Sequence, residues 1–414
     1  MIGLVAVILV LGFALITMTV GSPRVAPERV NVLADSSDDC VACHRRSTPG
    51  IVEQFGHSAK AAGGVGCQDC HSVEQGYPGA VAHEGGFVLN RPTTAICEKC
   101  HASEVAQFNQ SRHGLPAWVA VVGAQGLSAE LLAKYEAIPE GQFAPDRMRN
   151  AIASLEGPEV TRFACEVCHS VGKPAADGSV GRCTTCHLRH EFSREQVRKP
   201  ETCNQCHIGP DHPQWEIYHE SPHGIAYATM GHNWNWDAKP GTLGVTDFSA
   251  PTCATCHISG FGAAATTHDV GDRLTWFLFS PLSKRRPAWQ DNKVRMQSVC
   301  RECHNQLFIE SFYTDGDKLT EKINAFVEES DRIMAPLKER GLLTPEPFDE
   351  PIDFDYFNLW HHWGRTAKFG AWMQGPDYVQ WHGAYEILHE LANLREEASR
   401  RLSEAPTSGQ GRGE

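Results

Sequence analysis

The first apolar feature of the chain is an uncharged run, IGLVAVILVLGFALITMTV, at residues 2–20. No comparable apolar span occurs near the C-terminus. Between residues 40 and 304 apolar positions are scattered among glycine, proline and polar residues. No sustained alternation of period two appears there, so strands are not predicted. Connections such as VGKPAADGSVGR suit short helices joined by loops. After residue 304 the pattern changes. DGDKLTEKINAFVEESDRIMAPLKERG brings Leu319, Ile323, Phe326 and Ile333 near one face of an amphipathic helix. Residues 353–400 predict one or two long helices, and PTSGQGRGE at the end reads as a disordered polar tail. The expected fold is all-α. Four segments are expected: an export signal or membrane anchor (1–21), a domain of short helices and loops (22–310), a helical region (311–405) and the tail (406–414).

The cysteines explain why the first domain is so loosely patterned. All 16 fall in eight copies of one pentapeptide, Cys-x-x-Cys-His. The pairs are Cys40/Cys43, Cys67/Cys70, Cys97/Cys100, Cys165/Cys168, Cys183/Cys186, Cys203/Cys206, Cys253/Cys256 and Cys300/Cys303. The histidines that close them are His44, His71, His101, His169, His187, His207, His257 and His304. Structural zinc and redox dithiols also use paired cysteines, but neither requires histidine as the next residue. With 21 histidines in 414 positions, chance would place one there about one time in twenty, so eight in succession have a chemical cause. Two thioethers anchor a porphyrin and the adjacent imidazole reaches its iron from the same side. Eight covalent c-type haems are expected. Much of the core is then porphyrin, an apolar plate, and motifs four to six, packed into residues 165–207, cluster three haems.

Covalent haem attachment places maturation outside the cytoplasm, in a periplasm or equivalent compartment. Residues 2–20 fit either a cleaved signal peptide or a retained anchor. The nearest basic residues, Arg24 and Arg29, follow the run and by charge alone would stay cytoplasmic; the haem chemistry overrides them. A formal charge of −13 argues against nucleic acid and is compatible with a small basic redox partner.

Thirteen histidines remain after the eight motifs. A haem that only passes electrons takes a second axial ligand; one that does chemistry keeps that position open. Seven histidines suit second ligands by context: His57, His83, His113, His190, His223, His268 and His362. His219, His232, His361, His382 and His389 receive no role, and Trp215, Trp234 and Trp236 are expected to pack on porphyrin.

The stretch CTTCHLRHEFSREQVRKPETCNQCHIGPDHPQWEIYHESPHG, with THDVGDRLTW, GHNWNWD and the motif spacing, resembles the hydroxylamine oxidoreductase family of octahaem cytochromes c over about residues 40–390. The resemblance implies seven bis-histidine haems and one five-coordinate catalytic haem, the fourth, on Cys165, Cys168 and His169. The seven second-ligand candidates match the family's distal positions. Asp211 and His212 match an Asp-His pair over the open face of the fourth haem, where His212 would move protons and Asp211 would orient it or relay protons. On local grounds alone, Asp211 could equally cap the helix that follows it. The family also implies homotrimers and, in oxidising members, a tyrosine from a neighbouring subunit crosslinked to the catalytic porphyrin; Tyr378 is the matching residue. The expected activity is oxidation of hydroxylamine, with electrons leaving to a small cytochrome c or a quinone-linked protein. Hydrazine oxidation, ammonia-forming reduction of nitrite or hydroxylamine, and a purely electron-conducting role are the alternatives. Relatives that use lysine as proximal ligand are disfavoured, because all eight motifs end in histidine.

Overall fold

Cys-x-x-Cys-His fills little more than one helical turn, so in a helix its ligating residues fall at i, i+3 and i+4 on one face. The structure, a computed structural model of the chain, describes residues 30–138 and 145–405 and uses this geometry repeatedly. Asp39–Ser47 carries the first motif, while Cys67–His71, Cys165–His169 and Cys253–His257 are each motif and helix in one. Side-chain caps start two of these helices. Asp38 Oδ1 accepts the Val41 N–H at 3.0 Å, and Thr252 Oγ1 accepts that of Thr255 at 3.4 Å. Two antiparallel ribbons are the named strands among the described residues. One pairs Val81–His83 with Gly86–Val88, the other Trp276–Phe277 with Lys284–Arg285. The fold is all-α, as the pattern predicts.

Conventional core packing is concentrated in the C-terminal helices. The first, α1 (Gln306–Glu339), has 34 residues and so spans about 51 Å. It starts ahead of the 310/311 boundary drawn from sequence, because Asn305 caps it directly after the last motif, accepting the Phe308 N–H at 2.9 Å. Helices α2 (Pro351–Phe357), α3 (Gly364–Met373) and α4 (Tyr385–Glu404) pack against it. Their shared core includes Ile323, Val327, Met334, Leu337, Leu359 and Leu391, with Leu319, Phe326 and Ile333 at its margin. Of the one or two long helices expected over 353–400, the structure has two runs with a break between them. Gln374 takes a left-handed conformation (φ 61°), and Gly375-Pro376 follows. Gly375 has no room for a side chain, since a Cβ there would meet Glu220 and Ile217 at 2.7 Å. π-helical turns lie on either side of the break, at Asn358–Trp363 and Gln380–Ala384. No helix among the described residues is long and apolar enough to cross a membrane. The apolar run at 2–20 and the tail at 406–414 lie outside the described residues.

Within this bundle Lys368 is fully buried and donates from Nζ to Ser283 Oγ at 2.8 Å. Burial, reinforced by the charge of Arg365, pushes its ammonium down to about 7. The unfolded chain keeps that proton up to about pH 10. Between these values the unfolded state binds more protons, so stability rises with pH. Thermal unfolding of the holoprotein from pH 7 to 10 should show this rise, and Lys368→Met should flatten it. Identical slopes for the two proteins would refute a depressed Lys368.

Candidate haem cavity and proton-handling site

A continuous cavity of about 3030 Å³ runs through the motif-bearing part of the chain. Pockets for single small ligands hold roughly 300–1,000 Å³, and protein interiors otherwise leave few voids larger than a water molecule. A space this size is built for several large guests. All eight motif histidines line it, together with every motif cysteine except Cys43 and Cys303, which are exposed.

Four of the motif imidazoles are held by their outer nitrogens. His71 Nδ1 donates to Leu89 O at 2.6 Å and His169 Nδ1 to Ala117 O at 2.7 Å. His44 Nδ1 pairs with Thr48 Oγ1 at 2.7 Å, and His207 Nδ1 faces Gln214 Oε1 at 3.3 Å. A proton fixed on Nδ1 leaves the Nε2 lone pair free to bind metal. Around His169 this depends on a close approach. Gly172, just after the fourth motif, lies so near Gly114 that a Cβ would overlap the Gly114 carbonyl.

Two imidazoles that each hold one metal ion at about 2.0 Å through Nε2 have ring centres roughly 6 Å apart. Four second-ligand candidates stand at that spacing from a motif histidine. The pairs are His44–His83 at 6.0 Å, His71–His190 at 6.3 Å, His187–His268 at 6.3 Å and His223–His304 at 6.1 Å. These pairs are non-local, and each sandwiches a slice of the cavity. His207 has two such neighbours, His113 at 5.9 Å and His212 at 6.1 Å. Both ring nitrogens of His212 face Asp211, which leaves His113 as the fitting partner. Burial holds His187, His207 and His257 neutral, at about 4, and His113 at about 3, as imidazole ligands must be. The donor set therefore fits haem iron. The other two candidates are engaged differently. His57 Nε2 meets Glu53 Oε1 at 2.8 Å, and His362 lies in the cavity wall against His361 and Phe357.

Asp211 and His212 follow the sixth motif on a turn and also line the cavity. His212 Nδ1 donates to the Asp211 carbonyl at 2.6 Å, and its Nε2 lies 3.5 Å from Asp211 Oδ2. Asp211 is close enough to Cys165, and His212 to His169, for their charges to act on one another. The ring of His212 itself stands 6.1 Å from that of His207, in the sixth motif. Sequence reasoning missed two further members of this site. Arg365 Nη1 donates to Asp211 Oδ1 at 2.9 Å and to His361 Nε2 at 2.9 Å. His361 Nδ1 sits 3.1 Å from the same carboxylate oxygen, out of line for a hydrogen bond. The i, i+4 spacing of His361 and Arg365 was the available signal, but nothing local joined it to Asp211. Burial alone would raise the Asp211 carboxyl; the charges of His212, His361 and Arg365 outweigh it and hold it below the usual range. Burial lowers His212, with Asp211 opposing, so its imidazole is neutral near pH 7.

Tyr378 is not among the residues lining the cavity; its ring packs on His382 at 5.1 Å. Trp215 lines the cavity as expected, but Trp234 and Trp236 do not. They pack on each other at 5.6 Å and on Phe248 at 5.0 and 4.7 Å, in a core made of side chains.

A family profile described as seven-times multi-haem cytochrome CxxCH matches residues 63–351, a span that holds seven of the eight motifs and omits the first. A curated Kuenenia stuttgartiensis protein, named as a nitrite reductase–hydroxylamine oxidoreductase fusion protein, is 26% identical over 90% of the chain. The chain spans only 53% of that relative's length. Among solved structures, a multihaem protein superposes with a TM-score of 0.75 at 20% identity, covering 91% of this chain and 97% of its own. A chain of the Kuenenia stuttgartiensis reducing HAO-like protein complex Kustc0457/Kustc0458 superposes with a TM-score of 0.64 at 19% identity, covering 88% and 85%. At these identities the structures speak to the fold alone.

Removing one second ligand should open one iron. His83→Ala, His190→Ala, His223→Ala and His268→Ala should each add one high-spin haem to the optical and resonance spectra, with the intact mass still showing every haem attached. His113→Ala should do the same and His212→Ala should not. The reverse result for those two would exchange their places against His207.

Proposed function

The chain belongs to the multihaem CxxCH cytochromes, and on that footing we propose that it is an exported octahaem oxidoreductase that oxidises hydroxylamine at the fourth motif. All eight motifs would carry haem, with residues 22–310 as the haem domain and 311–405 as its helical companion. The seven second-ligand candidates would complete bis-histidine haems for electron transfer. The observation that carries the reading is the Asp211–His212 pair, held in the cavity wall within electrostatic reach of Cys165 and His169. Haem, when bound there, supplies an iron that takes the substrate nitrogen and passes on its electrons.

The protein's own task is protons. Each electron taken from an N–H or O–H bond leaves a proton that must be accepted, and His212 is neutral and placed to accept it. Asp211, ionised and beside Nε2, steadies the imidazolium that results. Electrons would leave to a small basic cytochrome c or a quinone-linked protein, and a homotrimer would let Tyr378 reach the fourth haem of a neighbour. Reduction of nitrite or hydroxylamine is the second reading; the curated relative's name joins a nitrite reductase to a hydroxylamine oxidoreductase.

Three results test these proposals. Intact mass should show eight haems and no free thiols, with seven or fewer refuting use of every motif. His212→Gln should lower turnover on the order of a hundredfold or more at unchanged haem content. His212 works as the neutral base, so turnover should fall as pH drops through its pKa. Asp211→Asn removes the charge that raises that pKa and should move this acid limb to lower pH; an unmoved limb would make the pair structural. For direction, peptide mapping should join Tyr378 to the Cys165/Cys168 haem peptide, and Tyr378→Phe should abolish the species. An unmodified Tyr378 peptide from active enzyme selects the reductive reading.

A further inference from the structure

Arg365 is an arginine with almost no contact to water, its side chain 10% exposed, on a helix that carries no motif. Four of its hydrogen bonds leave the helix altogether or run to the preceding turn. Nε and Nη2 donate to Phe279 O at 3.1 and 2.7 Å. Nη1 donates to Asp211 Oδ1 and to His361 Nε2, each at 2.9 Å. The guanidinium plane is held between the rings of Phe279 and Trp360, 5.3 Å from each centre. Phe279 in turn stands edge-on to the His212 ring at 5.2 Å and 88°, backed by Phe369 at 5.2 Å.

We propose that Arg365 is the positioning residue of the Asp211–His212 site: one planar clamp that sets the carboxylate, His361 and the Phe279 wall over His212 in a single arrangement. This rests on the reading of that pair as the proton-handling site. The geometry requires arginine. Its donors form a rigid fork that spans two partners on opposite edges, whereas lysine offers a point charge on a flexible stem. Because Arg365 donates to His361 Nε2, the His361 proton sits on Nδ1, 3.1 Å from Asp211 Oδ1 but out of line with it. Asp211, His361 and His362 are also close enough together to suggest a cation site. The guanidinium, 2.9 Å from two of the three, excludes one. Arg365 acts through Asp211 and Phe279; a misplacement of either by about 1 Å would cost on the order of a hundredfold in rate.

The test compares wild type, Arg365→Lys and Arg365→Met as holoproteins. Readouts are haem content, kcat and KM for hydroxylamine, and the C–O stretch of the reduced carbon monoxide complex, which responds to polar groups beside the bound ligand. Both variants should keep their haems, change KM little, lose kcat on the order of a hundredfold and shift the C–O stretch, lysine giving no rescue. Wild-type kcat and stretch in Arg365→Lys would mean that charge suffices and would overturn the clamp. A fallen kcat with an unmoved stretch would overturn it as well. Failure of the wild type itself to bind carbon monoxide would instead sink the open-iron reading on which the clamp depends. Should the Arg365 variants not fold, His361→Phe keeps the ring stacked on Phe357 (4.1 Å, 21°) but removes the Nε2 acceptor. A smaller shift in the same direction is expected, and none would overturn the proposal.

Discussion

The structure depends on a volume that its own side chains do not fill. A chain with apolar residues scattered through loops cannot close a core around about 3030 Å³ of space. The polypeptide instead presents cysteines and imidazoles to that space from short, capped turns. Side-chain packing of the usual kind is left to the C-terminal helices and to small clusters such as the one around Trp234 and Phe248. The two ways of making a core meet where α3 crosses the turn after the sixth motif. A polar bridge joins them there, Asp211 on one side and Arg365 and His361 on the other, beside the apolar contact of Phe279 with Phe369. Buried ions survive because each is matched and hydrogen-bonded.

What could be read from sequence was what is local. Cys-x-x-Cys-His states its chemistry within five residues, and the absence of alternation stated an all-α fold. Leu319, Ile323, Phe326 and Ile333 announced the amphipathic face of α1, although its start was placed late because Asn305 was not recognised as a cap. The break after Met373 was also written locally, in Gln-Gly-Pro, which allowed two helices rather than one over 353–400. The tryptophans were assigned to porphyrin because haem dominates the composition, yet Trp234 and Trp236 lie close enough in sequence to Phe248 to build a core of their own. Pairings such as His71 with His190 could be guessed as membership of a set, not as partners, because spatial partners across a cofactor leave no mark on sequence spacing.

Arg365 shows the limit most clearly. Nothing around it resembles a site, and its carboxylate partner lies 154 residues away. It reads as an ordinary helical arginine until the fold closes. His361 was left without a role beside His362, which matched a ligand position.

That separation fixes an order of assembly. Every motif, through His304, precedes the segment that supplies Phe357, His361, Arg365 and Phe369 to the cavity wall. A nascent chain therefore exposes all of its attachment points along an open trough before its final wall has been synthesised. A product truncated before α3 would retain its attachment sites and the paired imidazoles from His44–His83 to His223–His304, yet lack the clamp on Asp211. Such a fragment would keep the attachment geometry and lose the geometry at Asp211, so the two are supplied by separate lengths of the chain.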